Sequence, residues 1–174
     1  MEIIMKRLLS VILATILALT LLASCSKDGV PSGMKLASSE KASYKLYVPK
    51  DWVIGSQESY TTANSKEKVP NVSATSYDLK TADADLEDWW KTETENLKEG
   101  FKDFKEISGE KTTLGGRDAM EKVYTAKLTG CEYKFHQVAS IKDGYVYIVT
   151  FTCLPDTYED NKETMNKIFA EFKF

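Results

Sequence analysis

The sequence predicts an α+β domain, an antiparallel β-sheet flanked by helices on both faces in an α/β/α sandwich. Three observations carry that reading. Strand-like segments divided by Gly- and Asp-containing turns recur through the second half of the chain. One of them, Tyr145–Cys153, is apolar on both faces: Tyr145, Tyr147, Val149, Phe151 and Cys153 on one, Val146, Ile148, Thr150 and Thr152 on the other. Such a strand belongs in the middle of a sheet covered on both sides. Two segments with helical periodicity, one before the strand run and one after it, supply the cover.

The elements follow in order. Met1–Arg7 ends in the basic pair Lys6-Arg7, and Leu8–Ser24 carries no charge. About 17 uncharged residues fall short of the ~20 of a spanning helix, so residues 1–24 are expected to be a secretory signal peptide. Leu22-Ala23-Ser24-Cys25 resembles the bacterial lipobox at all four positions. The resemblance implies a diacylglyceryl group on the Cys25 thiol and cleavage before that residue, leaving 150 residues with a net charge of −4. Two acyl chains hold a protein firmly at ~0.8 kcal/mol per buried CH₂. Ser26 follows the cysteine, which in a diderm host favours the outer membrane and in a monoderm means the outer face of the cell membrane. Residues 25–43, dominated by Ser, Gly, Pro and Lys without an apolar period, read as a flexible tether. The folded domain is then expected over 44–174.

Tyr44–Val48 alternates and stops at Pro49, predicting a first strand, with Trp52 as an anchor beyond the turn. Val53–Ala63 and Asn71–Leu79 predict two more. Asn71-Val72-Ser73 matches a glycosylation sequon, a coincidence in a bacterial lipoprotein. Leu86, Trp90, Glu93, Leu97 and Phe101 fall at near-helical spacing behind an N-cap at Asp83 or Asp85, with Gly100 placed for a left-handed cap. Four strands follow: Phe104–Thr113, Arg117–Leu128, Cys131–Ile141 and Tyr145–Cys153. Pro155-Asp156 opens a second helix, Asp156 and Glu159 are spaced as a capping box, and Tyr158, Met165, Ile168, Phe169 and Phe172 form its buried stripe.

Composition excludes several functions. The chain has 174 residues, a net charge of −3 and 28% charged residues of mixed sign. No basic stripe is present to neutralise phosphates, so nucleic acid is not an expected partner. No catalytic, cofactor-binding or metal-binding set is expected. Asp83, Asp85, Glu87 and Asp88 lack the Gly and closing Glu of a calcium loop and suit a helix start. His136, the single histidine, reads as a sheet residue without a nucleophile to serve. Cys131 and Cys153 are candidates for a disulfide, which an exported domain permits. With Ile141 opposite Tyr145, they are diagonal neighbours near 7–8 Å, longer than a bridge prefers. With a two-residue loop they point to opposite faces. A pair of buried free thiols is expected ahead of a bridge. Trp89, about 100° round the helix from Trp90, either widens the buried stripe or stays partly exposed as a partner or sugar contact.

Tyr44–Trp52 (YKLYVPKDW), Leu114–Ala119 (LGGRDA), Val123-Tyr124-Thr125, Lys142–Thr152 (KDGYVYIVTFT) and Phe169–Phe174 together resemble the PsbP-like superfamily. The resemblance covers Tyr44–Phe174 and implies an antiparallel sheet with helices on both faces. It also implies a non-catalytic role, since members of that family mostly act as partners of larger assemblies. No segment matches the region by which the photosynthetic subunit engages its complex, so photosystem function is not implied.

The expectation for function is therefore an extracytoplasmic, membrane-anchored lipoprotein, not an enzyme, whose domain binds another envelope or extracellular protein. The alternative is a small-ligand or ion-binding lipoprotein using a cleft at the sheet edge, which a buried polar pocket would favour.

Overall fold

A computed structural model describes residues 29–58, 60–81 and 83–174. The segment expected to be a signal peptide, residues 1–24, and Cys25 lie outside the described residues. The chain divides into Met1–Ser32, of which only Gly29–Ser32 is described, and the compact unit Gly33–Phe174. The unit contains strands β1 (Met34–Leu36), β2 (Tyr47–Pro49), β3 (Val53–Ser56), β4 (Tyr60–Asn64) and β5 (Asn71–Asp78), then helix α1 (Leu86–Gly100). Strands β6 (Lys102–Leu114), β7 (Arg117–Leu128), β8 (Cys131–Lys142) and β9 (Tyr145–Cys153) follow, and a 3₁₀ turn, Pro155–Thr157, leads into α2 (Tyr158–Glu171).

Seven strands form one antiparallel sheet in the order β3-β4-β5-β9-β8-β7-β6. The doubly apolar β9 is the central strand, as its sequence requires. Its two faces separate the core into layers. Val146 and Ile148 join Tyr124, Ala126, Phe135 and Ala139 beneath Trp90 and Leu97 of α1. Tyr147, Val149, Phe151 and Cys153 face the other way, where α2 buries Met165, Ile168 and Phe169. Phe172 follows, with Tyr44 stacked on it at 5.5 Å and Tyr147 edge-on at 6.4 Å. Burying side chains of this size at ~25 cal/mol per Å² is the main force holding both helices to the sheet.

Three hairpins share one device. Gly115-Gly116, Thr129-Gly130 and Asp143-Gly144 are two-residue loops with both residues at positive φ, the mirror-image turn that matches strand twist. Gly115 has a second constraint: a Cβ there would lie 2.1 Å from the Phe172 carbonyl oxygen. Its own N–H donates to the Phe169 carbonyl at 2.9 Å, tying this turn to the end of α2.

The structure corrects the sequence reading at several points. The folded domain starts at Gly33, not Tyr44, so residues 34–43 are not tether. Met34 is 2% exposed, β1 pairs with β2, and the Ala37 N–H donates to the Leu46 carbonyl at 2.8 Å. The expected first strand therefore pairs outside the main sheet, and Lys45 exchanges backbone hydrogen bonds with Lys173 at 2.8 and 3.0 Å. Val53–Ala63 is a hairpin rather than one strand, with the Gln57 N–H bound to the Tyr60 carbonyl. Asp85 caps α1 by accepting from the Asp88 N–H at 2.9 Å. Gly100 takes no left-handed conformation, because Phe101 leaves the helix in extended geometry and runs straight into β6. The Asp156–Glu159 capping box does not form. The 3₁₀ turn draws Asp156 in, leaving Thr157 at the N-cap without a side-chain capping bond.

The position of Met34 gives a test of where the domain begins. Met34→Ala is expected to lower the unfolding free energy by about 2–5 kcal/mol. A tether residue would change it by less than ~0.5 kcal/mol. Urea titration of the two proteins measures the difference.

Candidate functional site

The residues singled out by sequence do not converge. The two-residue turn at Asp143-Gly144 pairs Lys142 with Tyr145 and places Lys134, not Tyr133, opposite Cys153. Cys131 and Cys153 therefore point to opposite faces and both are free thiols, so the candidate disulfide is absent. The expectation of two buried thiols holds for only one of them. Cys131 is exposed, while Cys153 is buried and its thiol is pushed up to about 11 by that burial. Trp89 is half-buried against the α1 core, its ring 5.0 Å from Trp90 and its indole N–H donating to the Tyr77 hydroxyl at 2.9 Å. It widens the stripe.

His136 is more engaged than its sequence suggests. It is 6% exposed, with Nε2 3.0 Å from a Glu121 carboxylate oxygen and Nδ1 2.8 Å from the Tyr158 hydroxyl. Against a carboxylate, the neutral ring donates from Nε2 and accepts the Tyr158 proton at Nδ1. Phe169 packs on the ring at 5.2 Å, and the Lys134 ammonium lies 3.7 Å from the centre of the Tyr158 ring. The three groups resemble a proton-relay triad in order, and both ring nitrogens are engaged within it. The network ties β7, β8 and the start of α2 together. Burial holds the His136 pKa below its ordinary value, with Lys134 and Lys162 adding to this against the opposing carboxylate of Glu121. Burial also raises the Tyr158 hydroxyl to about 12.

An open site lies on the opposite face of the sheet. Helix α1 covers β7, β8 and the first half of β9, and it leaves β4, the start of β5 and the end of β9 bare. The result is a cleft of about 310 Å³, in the size range of small-molecule sites. Its floor is a register row across four strands: Thr62 opposite Ser73, Ser73 opposite Thr150, Thr150 opposite Gln137. A second row runs Asn71, Thr152, Phe135, Tyr124. Leu97 and Phe101 at the end of α1 form one wall and Tyr60 the other.

Behind the floor the polar groups are fixed. The Tyr124 hydroxyl donates to Gln137 Oε1 at 3.0 Å, and Glu93 of α1 is hydrogen-bonded by the side chains of Asn96 and Gln137. Burial raises the Glu93 pKa above the usual carboxylate value in spite of those bonds. Thr62 donates to the Gly55 carbonyl at 2.6 Å. Among the described residues, the side chains of Asn71, Ser73, Thr150 and Thr152 have no hydrogen-bonding partner, and they face the cleft. The sequence places Thr150 and Thr152 on one face of the central strand and Glu93 among the residues of α1 at near-helical spacing. It does not connect them, because the bare end of the sheet shows only once the helix has a place.

No family model matches the chain, and no curated protein sequence matches it. Solved structures do share its fold. The cyanobacterial PsbP of Synechocystis sp. PCC 6803 superposes with a TM-score of 0.62 at 14% identity, over 87% of this chain and 97% of that one. LpqN of Mycobacterium tuberculosis, involved in cell envelope biogenesis, gives 0.53 at 18% identity, over 80% and 89% of the two chains. PA94 of Pseudomonas aeruginosa, of unknown function, gives 0.53 at 18% identity, over 80% and 95%. The domain is an antiparallel sheet between two helices, and its fold is PsbP-like. The motifs that carried the sequence resemblance are its turns and core strands: LGGRDA spans the Gly115-Gly116 hairpin and KDGYVYIVTFT the centre of the sheet.

His136 makes stability depend on pH. Its folded pKa lies below the ordinary 6.5, so the unfolded chain binds the proton more readily. The stabilising effect of the neutral ring is present above 6.5 and is lost as pH falls from there toward the folded pKa. Urea midpoints measured between pH 8 and 5 are expected to fall below about pH 6.5. A His136→Phe variant is expected to lose that part of the slope, whatever its absolute stability.

Proposed function

We propose that this chain is an extracytoplasmic lipoprotein, held to the membrane by a diacylglyceryl group on Cys25, whose domain binds a ligand and does not catalyse a reaction. The observation that carries the anchor is Leu22-Ala23-Ser24-Cys25 at the end of an uncharged run behind Lys6-Arg7. The acidic mature chain is repelled by anionic lipid, and among the described residues no helix is long and apolar enough to cross a membrane. A lipid supplies the attachment on this reading. The fold it shares with LpqN, a protein of cell envelope biogenesis, supports an envelope location.

The cleft beside α1 favours a small ligand as the thing bound. Among the described residues no three His, Cys, Asp or Glu side chains are grouped as a metal site requires, so the cleft rather than an ion carries this reading. A protein partner from the envelope or the extracellular space is the second reading. The observation that favours it is β3, a four-residue edge strand exposed along its whole length, with Val53 and Ile54 uncovered. Strand edges of this kind accept an added strand from another chain.

The anchor is tested by expressing the wild type and Cys25→Ala in a bacterial host. The wild type is expected to incorporate labelled palmitate and to partition into detergent. The variant is expected to appear in the aqueous fraction with an unchanged melting temperature. Retention of the variant in membranes would show that Cys25 is not the attachment.

A further inference from the structure

We infer that the cleft between the end of α1 and β4 is a binding site for a neutral saccharide of one or two rings. This rests on the ligand-binding reading above and names the ligand's chemistry. The lining contains no Lys, Arg, Asp or Glu. Glu93, the nearest carboxylate the network places there, stands behind Gln137 and is engaged by Gln137 and Asn96. A phosphate, carboxylate or metal ion would therefore meet no counter-charge to offset the part of its hydration it gave up. An acyl chain fits no better, because it would cover the hydroxyls of Ser73, Thr150 and Thr152 without offering them partners.

A polyhydroxylated ligand meets both conditions. Ser73, Thr150 and Thr152 carry hydroxyls that both donate and accept, and Asn71 adds an amide that does the same. Ser73 and Thr150 are register partners on adjacent strands, which run about 4.8 Å apart. That spacing is close to the separation of alternate equatorial hydroxyls round a pyranose ring. The walls are aromatic: Tyr60, 45% exposed, on one side and Phe101 on the other. Such rings accept the C–H face of a sugar while its edge meets the floor. Gly55 preserves the floor's outer end, since a Cβ there would lie 2.9 Å from the Thr62 hydroxyl oxygen. A volume of about 310 Å³ suits one or two rings.

The test uses full-length lipidated protein in a polyoxyethylene detergent, because a maltoside headgroup would compete for the site. Calorimetric titration with glucose, N-acetylglucosamine and maltose is compared with glucose 6-phosphate, glucuronate and octanoate. A Thr150→Val/Thr152→Val variant keeps the shape of the floor and removes two hydroxyls. At least one neutral sugar is expected to bind, and the variant to bind it about tenfold or more weakly with a nearly unchanged melting temperature. Sugar binding that the variant leaves intact would overturn the assignment to this cleft. Binding of only the charged or acyl probes, weakened in the variant, would overturn the saccharide and leave the cleft as a ligand site. No binding by any probe would overturn both, and would leave the Cys25 anchor standing on its own test.

Discussion

The pairing of β8 with β9 is the constraint on which the other arrangements depend. A two-residue turn at Asp143-Gly144 sets that register, and in a strand pair a shift of one residue moves every side chain to the other face. With Lys142 opposite Tyr145, Phe135 and Ala139 fall on the α1 face and His136 and Val138 on the α2 face. The same register brings Gln137 beside Thr150 and Phe135 beside Thr152, which makes the cleft floor. It also separates Cys131 from Cys153. One turn thus decides the two cores, the histidine network and the thiols together.

The two faces of the sheet are covered by different means. On the α2 face the helix is joined by the segment from Met34 to Trp52. Tyr44, Leu46, Val48 and Trp52 are all buried there, and Trp52 lies 6.2 Å from Phe151. The Tyr44 hydroxyl reaches across to Thr61 and to the Ala74 carbonyl, at 3.1 and 2.7 Å. Among the described residues, α1 is the one helix on the other face. Fifteen residues at 1.5 Å per residue give a rod of roughly 22 Å. Seven strands at about 4.8 Å are wider than one helix can cover. The uncovered strip changes composition accordingly, from Val146 and Ile148 under the helix to Thr150 and Thr152 beyond it.

What the sequence disclosed and what it withheld follow one physical division. Signals carried by neighbouring residues were legible: the double apolar alternation of β9, the places of the three Gly-containing turns though not the length of each, a cap at Asp83 or Asp85 and the buried stripe of α2. Signals that depend on distant partners were not. His136 meets Glu121 and Tyr158, 15 and 22 residues away, and nothing in its own strand announces either. Met34–Leu36 is too short to show a period and is held by backbone bonds, so its Ser- and Lys-rich surroundings read as tether. Ser73 and Thr150 belong to strands far apart in the chain, and neither alone announces the other.

That last pairing has a consequence for how the molecule is assembled. Strands β6 to β9 form a meander in which every strand pairing is between chain neighbours, closed by three tight turns. The β5–β9 seam instead joins Asn71 to Thr152, and short-range contacts cost less entropy to close than long-range ones. The meander can therefore form first, with β3, β4 and β5 adding later along the free edge of β9. The hydroxyl floor straddles this seam, half of it contributed by each side. A chain whose meander is folded but whose seam is open has one side of the floor and no second side to complete the cleft.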